Sequence, residues 1–325
     1  MLNLHPFNYK FKIILYSMKQ ITFTAFARQC IVRLEEEGRF STAHLYKNAL
    51  DSYSDYLKKP VVSFSDISRE WLRGYQRKLT GRGRLPNTVS TYMRMLRSIY
   101  NQGADQGHAP YITRLFHDVY TGIDSTHKKA LLRKELQTLL YMDPGNDDLR
   151  RTQTRARLIY QLCGMPFVDL THISPSNICG DTLEYYRMKT GTKVCVKLLK
   201  PVVEIIRHYT DTVRFPSDNK GKYLFNILRS EYDFRSREGY SEYQSALRHF
   251  NQSLCILGKT LGLKENISSY TLRHSWATTA KYTGTPIEMI SESLGHKSIK
   301  TTQIYLAGFH ASDLASVNRK ACKYV

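Results

Sequence analysis

The stretch Tyr270-Thr271-Leu272-Arg273-His274-Ser275-Trp276-Ala277-Thr278 decides how this chain is read, together with Leu294-Gly295-His296-Lys297-Ser298 and Thr301-Thr302-Gln303-Ile304-Tyr305-Leu306. On a helix, Tyr270 and Arg273 lie three residues apart and share a face. Thr285-Pro286-Ile287-Glu288 has the pattern of a capping box with proline at the first helical position, which predicts a helix running to Leu294. Gly295 ends that helix and delivers His296 to the turn that follows. Tyr305 comes nine residues after His296, on the next helix.

The residue types point to a chemistry. Arg, His, Lys and Tyr without a carboxylate cluster suit phosphoryl transfer without a metal. A phosphodiester needs cationic donors as it becomes pentavalent. The planar guanidinium of arginine matches phosphate geometry. Histidine can donate a hydrogen bond or handle a proton. A lysine can protonate the departing 5′ oxygen, and a tyrosine can attack phosphorus and hold the strand as an ester. Its phenol titrates near pH 10, so neighbouring cations must favour the phenolate. Taken singly, these residues have bland uses as well. Arg273 suits a salt bridge, His296 a helix cap and Lys189 a solvated hairpin tip, and Tyr305 is one of 23 tyrosines. Order and spacing make them a set.

Working outward, Thr182–Met188 and Lys193–Leu198 flank Thr190-Gly191, and the second segment alternates in polarity, which predicts a β-hairpin with Val194, Val196 and Leu198 on its buried face. Helical patterns surround it at 133–142, 152–163, 201–213, 241–262, 270–282, 286–294 and 299–306. Residues 20–103 read as four helices. The first carries Phe23, Phe26, Ala27, Cys30, Ile31 and Leu34 and ends at Gly38. The second is capped by Ser41 and stopped by Pro60. The third carries Trp71, Leu72, Tyr75 and Leu79, and the fourth is capped by Asn87. Gly107, Pro110, Gly122 and Asp124 mark a linker. The division is an N-terminal extension over 1–17 (with an alternative start at Met18), a helical unit over 18–105, the linker over 106–125 and a second domain over 126–325.

The net charge of +20 is spread over the chain. Residues 1–120 hold 18 Lys/Arg against 9 Asp/Glu, and the remainder holds 30 against 19. Two basic halves suit a protein that holds a polyanion, because lysine and arginine replace counterions condensed on phosphates. Double-stranded DNA is the expected partner. Arg73, Arg77, Arg82, Arg84, Arg94 and Arg97 in the first half, and His274 and Lys297 in the second, are the candidate DNA contacts. Phosphate contacts of this kind position a duplex rather than read it. The six cysteines show no CxxC spacing, which speaks against a zinc site and a disulfide framework and fits a reducing cytoplasm. The apolar run from Phe11 to Tyr16 is interrupted by Lys12 and is too short for a membrane span. Neither metal nor cofactor is expected.

Thr271–Thr278, Leu294-Gly295-His296 and Tyr305 at these spacings resemble the signature of the tyrosine recombinase (phage integrase) family, of the mobile-element integrase type. The resemblance implies a mainly α fold with a small β-sheet. A helical N-terminal SAM-like core-binding domain would precede an α+β tyrosine recombinase catalytic domain. It implies site-specific cleavage and rejoining of DNA through a 3′-phosphotyrosine, by a clamp that assembles as a dimer or tetramer on DNA. It also implies a Holliday-junction intermediate, a C-terminal tail over 311–325 that docks on a neighbouring protomer, accessory DNA-bending proteins, and a place in the cytoplasm at the nucleoid. By resemblance Tyr305 is the nucleophile, Arg273 the second catalytic arginine, His296 the third-motif histidine and Lys189 the hairpin lysine.

Two positions depart from the family pattern. Tyr270 stands where the family has a histidine, and its phenol still donates a hydrogen bond. In Leu162-Cys163-Gly164-Met165-Pro166-Phe167-Val168-Asp169, which is similar to the family's Arg-Gly-Met-x-Phe-x-Asp segment, Cys163 occupies the first-arginine position. A thiol is a weak donor without positive charge. Arg187 is the candidate replacement. It lies two residues before Lys189, which on a strand places both side chains on one side. Two other readings keep the fold and change the activity: a DNA-binding protein without catalysis, supported by Cys163 and by the helix-turn-helix look of 270–294 around Gly284, or a type IB topoisomerase-like enzyme.

Overall fold

The computed structural model describes residues 21–124, 130–212, 223–229, 231–264 and 266–306, with isolated positions between 315 and 322. The extension over 1–17, the alternative start at Met18 and, apart from those positions, the tail over 311–325 lie outside the described residues. The chain divides into two compact units, Met1–Asp124 and Ser125–Val325.

The first unit is helical. Thr22 caps α1 (Phe23–Glu36) by accepting the Ala25 N–H. Helix α2 (Phe40–Leu57) starts without a side-chain cap. Ser41, the expected cap, sits inside its first turn, and left-handed Lys58 rather than Pro60 ends it. Ser68 caps α3 (Arg69–Gly81). Pro86 opens α4 (Pro86–Asp105), where its missing N–H costs nothing. Asn87 is therefore not the cap. Its amide instead brackets the backbone of Asp124, donating to the carbonyl at 2.8 Å and accepting from the N–H at 2.9 Å.

That bracket corrects the linker. Residues 106–124 pack onto the helices: Leu115, Phe116 and Val119 are buried in the same core as Phe26, Leu72 and Leu96. Gln76 accepts the Tyr120 N–H, and Ser90 donates to the Gly122 carbonyl. Glycine and proline correctly marked irregular backbone, but three apolar side chains with a core to fill hold that backbone down. The core is rich in rings, with Phe23 and Tyr100 both edge-on to Phe64. Trp71, expected inside, remains half exposed with an edge on Tyr56.

In the second unit, α5 (Arg133–Tyr141) and α6 (Asp147–Gln161, capped by Asn146) precede a short α7 (Phe167–His172). A three-stranded antiparallel sheet follows: β1 (Ile178–Cys179), β2 (Thr182–Tyr186) and β3 (Lys193–Lys197), in that spatial order. Leu183 pairs with Val196 and Tyr185 with Val194, so one face is apolar and buried, while Glu184, Tyr186, Lys193 and Cys195 face outward. Then come α8 (Lys200–Thr212), α9 (Arg237–Thr260), α10 (Ser269–Tyr282), α11 (Ile287–Ser293) and α12 (Ile299–Tyr305). The core joins α5, α6, α7, the inner sheet face, α9 and Leu272. The expected capping box of α11 is absent: Pro286 is the N-cap residue and has no side chain that can accept a bond. Among the described residues no helix is long and apolar enough to cross a membrane.

Gly103 in α4 lies against Phe64, and a Cβ there runs into the ring. Gly103→Ala should destabilise the first unit by about 1–3 kcal/mol through overpacking, more than the roughly 0.5–1 kcal/mol alanine gains in a helix interior. Urea unfolding of the full chain measures it, and unchanged or increased stability would show that the ring has room to turn.

Candidate active site

The site is built at the ends of four elements. Helix α6 terminates in a turn where Cys163 and Gly164 are both left-handed (φ 57° and 65°), so the Met165 N–H reaches back to the Ile159 carbonyl at 3.0 Å. The turn aims the Gly164 carbonyl at α10. It also lets α10 approach closely, because a Cβ on Gly164 would sit 3.1 Å from the Arg273 Cα. Ser268 caps α10, and Ser275 ties that helix to the start of α5 by accepting the Leu131 N–H at 2.8 Å.

Arg273 is thereby buried, with 3% of its surface exposed. Its Nη1 donates to the Gly164 carbonyl at 2.7 Å, and its Nη2 lies 2.7 Å from the Leu294 carbonyl and 3.2 Å from His296 Nε2. Arg187 is 6% exposed and reaches the same place from the hairpin. Its Nη1 donates to the Leu294 carbonyl at 2.7 Å and to the Gly295 carbonyl at 3.3 Å. Its Nε pairs with Asp169 at 3.3 Å, and the second oxygen of Asp169 accepts the Met188 N–H at 2.9 Å. Two guanidiniums therefore share one carbonyl oxygen, and Asp169 is the carboxylate set against them. Burial pushes the Asp169 carboxyl above its usual range, opposed by the Met188 N–H, by Arg187 and by Arg273.

Gly295 makes this possible. It is left-handed at φ 63°, and a Cβ there would run into the Arg187 stem and come within 2.7 Å of Val194. The following residue, His296, is partly buried, with Nδ1 2.9 Å from the Thr302 hydroxyl on α12. Tyr305 is the last residue of α12, and its side chain lies outside the described residues.

Residues 130–311 match the phage integrase family, and residues 22–112 match the phage integrase SAM-like domain. The chain belongs to the phage integrase family. It is a site-specific DNA recombinase of the tyrosine recombinase class, which cleaves and rejoins DNA strands. It is 24% identical over 279 residues to the tyrosine recombinase XerD of Staphylococcus aureus, covering 84% of this chain and 90% of that one. The XerD of Listeria monocytogenes is similar at 24% over 275 residues, covering 82% and 87%. The fold is similar to that of one chain of a lambda integrase tetramer bound to a Holliday junction (TM-score 0.65, 14% identity, 94% of this chain and 82% of that). It is also similar to that of the XerH site-specific recombinase bound to its difH substrate (TM-score 0.60, 17% identity, 89% and 83%).

Against this family pattern, the predicted residues divide. Arg273, His296 and Arg187 are brought together. Lys189 is not in the cluster: β2 ends at Tyr186, and the turn through Met188 and Thr190 breaks the alternation, so Arg187 is buried while Lys189 is exposed. Tyr270 is 51% exposed, with its ring 5.9 Å from that of His274. His274, expected at the DNA surface, is buried on the inner side of α10 and is corrected to an interior residue. Lys297, Arg73, Arg77, Arg82, Arg84 and Arg94 are exposed and Arg97 is half-buried.

Sequence reasoning missed Asp169, Tyr185 and Thr302 as parts of the site. Tyr185 faces inward two residues before Arg187. Its phenol is pushed up, first by burial and then by Asp169, against the pull of Arg187 and Arg273. Strand parity with Arg187 was the available signal for Tyr185. Asp169 lies in the segment that begins at Leu162, but its partner Arg187 is 18 residues away.

Burial pushes the Cys163 thiol up to about 11, so it stays protonated at neutral pH and supplies neither charge nor a strong donor. Alkylation of Cys163, followed by mass spectrometry of the native protein, should keep accelerating with pH to about 11. A plateau near pH 8 would show a thiolate stabilised by the neighbouring arginines.

Proposed function

We propose that Tyr305 is the nucleophile of strand cleavage and that Arg273 and Arg187 together hold the scissile phosphate, Arg187 standing in for the arginine that Cys163 replaces. One observation carries this reading: both guanidiniums, from different elements, lie 2.7 Å from the Leu294 carbonyl, with Asp169 as the carboxylate paired to one of them. Two buried cations against one carboxylate leave a surplus of positive charge in a low-dielectric place, which is what an incoming phosphate neutralises.

In the proposed step the Tyr305 oxygen bonds to phosphorus and the bond from phosphorus to the 5′ oxygen breaks. Lys189, on the exposed turn, gives its proton to that oxygen. The phenol proton leaves through His296, and Tyr270 donates a hydrogen bond to a phosphate oxygen. The phosphotyrosine keeps the energy of the diester, so rejoining by a 5′ hydroxyl needs neither ATP nor a metal. The substrate is double-stranded DNA, held by the exposed arginines of α3 and α4 and the turn between them, together with Lys297. The protein works as a dimer or tetramer on its sites, a reading supported by the similar lambda integrase being a tetramer on a Holliday junction, and its place is the cytoplasm.

Incubation with nicked duplexes drawn from the gene's own neighbourhood should trap SDS-resistant adducts at a defined sequence, and Tyr305→Phe should abolish them. Intact salt-sensitive DNA binding without any adduct would favour a non-catalytic DNA-binding protein. Arg187→Ala should slow cleavage by about 10²–10³-fold, the scale for losing one preorganised donor. Because it also strands Asp169, stability alone is a poor control. The deciding variant is the double substitution Arg187→Ala with Cys163→Arg. Recovery of cleavage in the double variant, without recovery of thermal stability, supports a role at the phosphate. Near-normal cleavage by Arg187→Ala overturns it.

A further inference from the structure

We propose that Thr302 is a positioning residue: its hydroxyl fixes which ring nitrogen of His296 carries the proton and ties that choice to the helix that bears Tyr305. The inference rests on the assignment of His296 and Tyr305 to the cleavage reaction.

Thr302 is fully buried on α12, and its Oγ1 lies 2.9 Å from His296 Nδ1. On the other side of the ring, Nε2 lies 3.2 Å from Arg273 Nη2. A guanidinium nitrogen only donates and is never deprotonated in a protein. Nε2 must therefore present its lone pair, because an N–H there would set donor against donor and a cation beside a cation. The proton of the neutral ring is then on Nδ1, and it needs an acceptor. A threonine hydroxyl has lone pairs free to accept, whatever its own hydrogen does. Arg273 and Thr302 thus read the imidazole from opposite sides and allow one tautomer, with hydrogen on Nδ1 and a lone pair on Nε2.

That tautomer is the useful one. While Arg273 lies against Nε2, the lone pair is occupied. A phosphate that draws the Nη2 hydrogen to itself releases Nε2, which becomes a base ready to receive the phenol proton. Tyr305 lies three residues beyond Thr302 on α12. The helix that delivers the nucleophile therefore also carries the group that prepares its base. If α12 leaves its place, Thr302 leaves with it, and His296 loses the acceptor that holds its proton on Nδ1. A ring oriented by one partner while the other nitrogen works is the arrangement seen where a carboxylate or carbonyl orients a metal-bound histidine.

The test is a pair of near-isosteric changes in the full chain. Thr302→Val removes the acceptor and keeps the volume, and Thr302→Ser keeps the acceptor. With histidine labelled by nitrogen-15, long-range proton–nitrogen spectra report the tautomer of each ring, and His296→Gln identifies the His296 signals. The wild-type and Thr302→Ser proteins should show His296 with its proton on Nδ1, and Thr302→Val should lose that signature. Single-turnover cleavage of a nicked duplex should fall about 10- to 100-fold in Thr302→Val, the scale on which partners that orient a metal-bound imidazole act. Affinity for the same duplex should not change, and Thr302→Ser should restore the rate. If valine prevents folding, Thr302→Cys carries the comparison, since its sulfur is a weak acceptor of similar size.

An unchanged tautomer in Thr302→Val, or a wild-type cleavage rate, overturns the inference. So does a rate that falls only in step with thermal stability and is not rescued by serine. Failure of the underlying assignment looks different. His296→Gln or Tyr305→Phe would then cleave normally, while the spectra still decide whether Thr302 sets the ring.

Discussion

The carbonyl oxygen of Leu294 is where the second unit is pinned. It lies 2.7 Å from Arg273 of α10 and 2.7 Å from Arg187 of the hairpin, and it is the C-cap of α11. The C-terminal end of a helix carries partial negative charge, so it is a favourable place to bring two cations. Hydrogen bonds to charged groups contribute about 1.5–3 kcal/mol each. The same guanidiniums hold the Gly164 turn after α6, the Gly295 turn before α12 and Asp169 of α7. The Met188 N–H, bonded to the second oxygen of Asp169, adds a further tie between the hairpin and α7. Burying ions costs several kcal/mol apiece even after relaxation. An assembly with two cations and one carboxylate is therefore a poor way to stabilise a fold and a good way to hold a place for an anion.

The backbone exceptions follow from that convergence. Gly164 and Gly295 are both left-handed and both crowded by arginine: one by the backbone of Arg273, the other by the stem of Arg187. Each glycine permits a turn and a close approach at once. Cys163 shares the left-handed geometry without being glycine, at a cost of roughly 1–2 kcal/mol for the crowded Cβ. In an ordinary helix end glycine would relieve that strain. The turn keeps a side chain near the phenol of Tyr185, which burial, Asp169 and Cys163 push up and Arg187 and Arg273 pull down.

Much of this was legible in the sequence, for identifiable reasons. Arg273 and His296 were legible as neighbours because local chemistry sets the elements that carry them, a serine cap before α10 and a glycine after α11. The hairpin was legible because Val194 and Val196 alternate with Lys193, Cys195 and Lys197. Parity put Arg187 and Lys189 on one side and failed, because alternation is a property of paired strand and β2 stops at Tyr186, leaving Arg187 buried and Lys189 exposed. His274 misled for a related reason: a polar residue next to Arg273 reads as surface, yet α10 is buried over most of its circumference. The linker misled because composition reports backbone type and not where Leu115, Phe116 and Val119 go. Asp169 and Thr302 act through partners supplied by other elements, and no local pattern names such partners.

On the proposed reading, in which Cys163 occupies the position of an arginine, the cysteine is a constraint on charge rather than a loss. A guanidinium at 163 in addition to Arg187 and Arg273 would set three buried cations against Asp169. Like charges in a low-dielectric setting repel strongly, and each ion must also be stripped of water. With Arg187 already drawn in by Asp169 and admitted by Gly295, the neighbouring position is better filled by a small neutral group. A thiol held protonated by burial, up to about 11, meets that need. The cluster then holds two guanidiniums, one from the hairpin and one from α10. Arg187 is fixed by an ion pair inside the core, whereas Lys189, two residues on, stands in solvent. The hairpin thus carries one cation held by Asp169 and one exposed to solvent, the two to which the proposed cleavage step gives different roles.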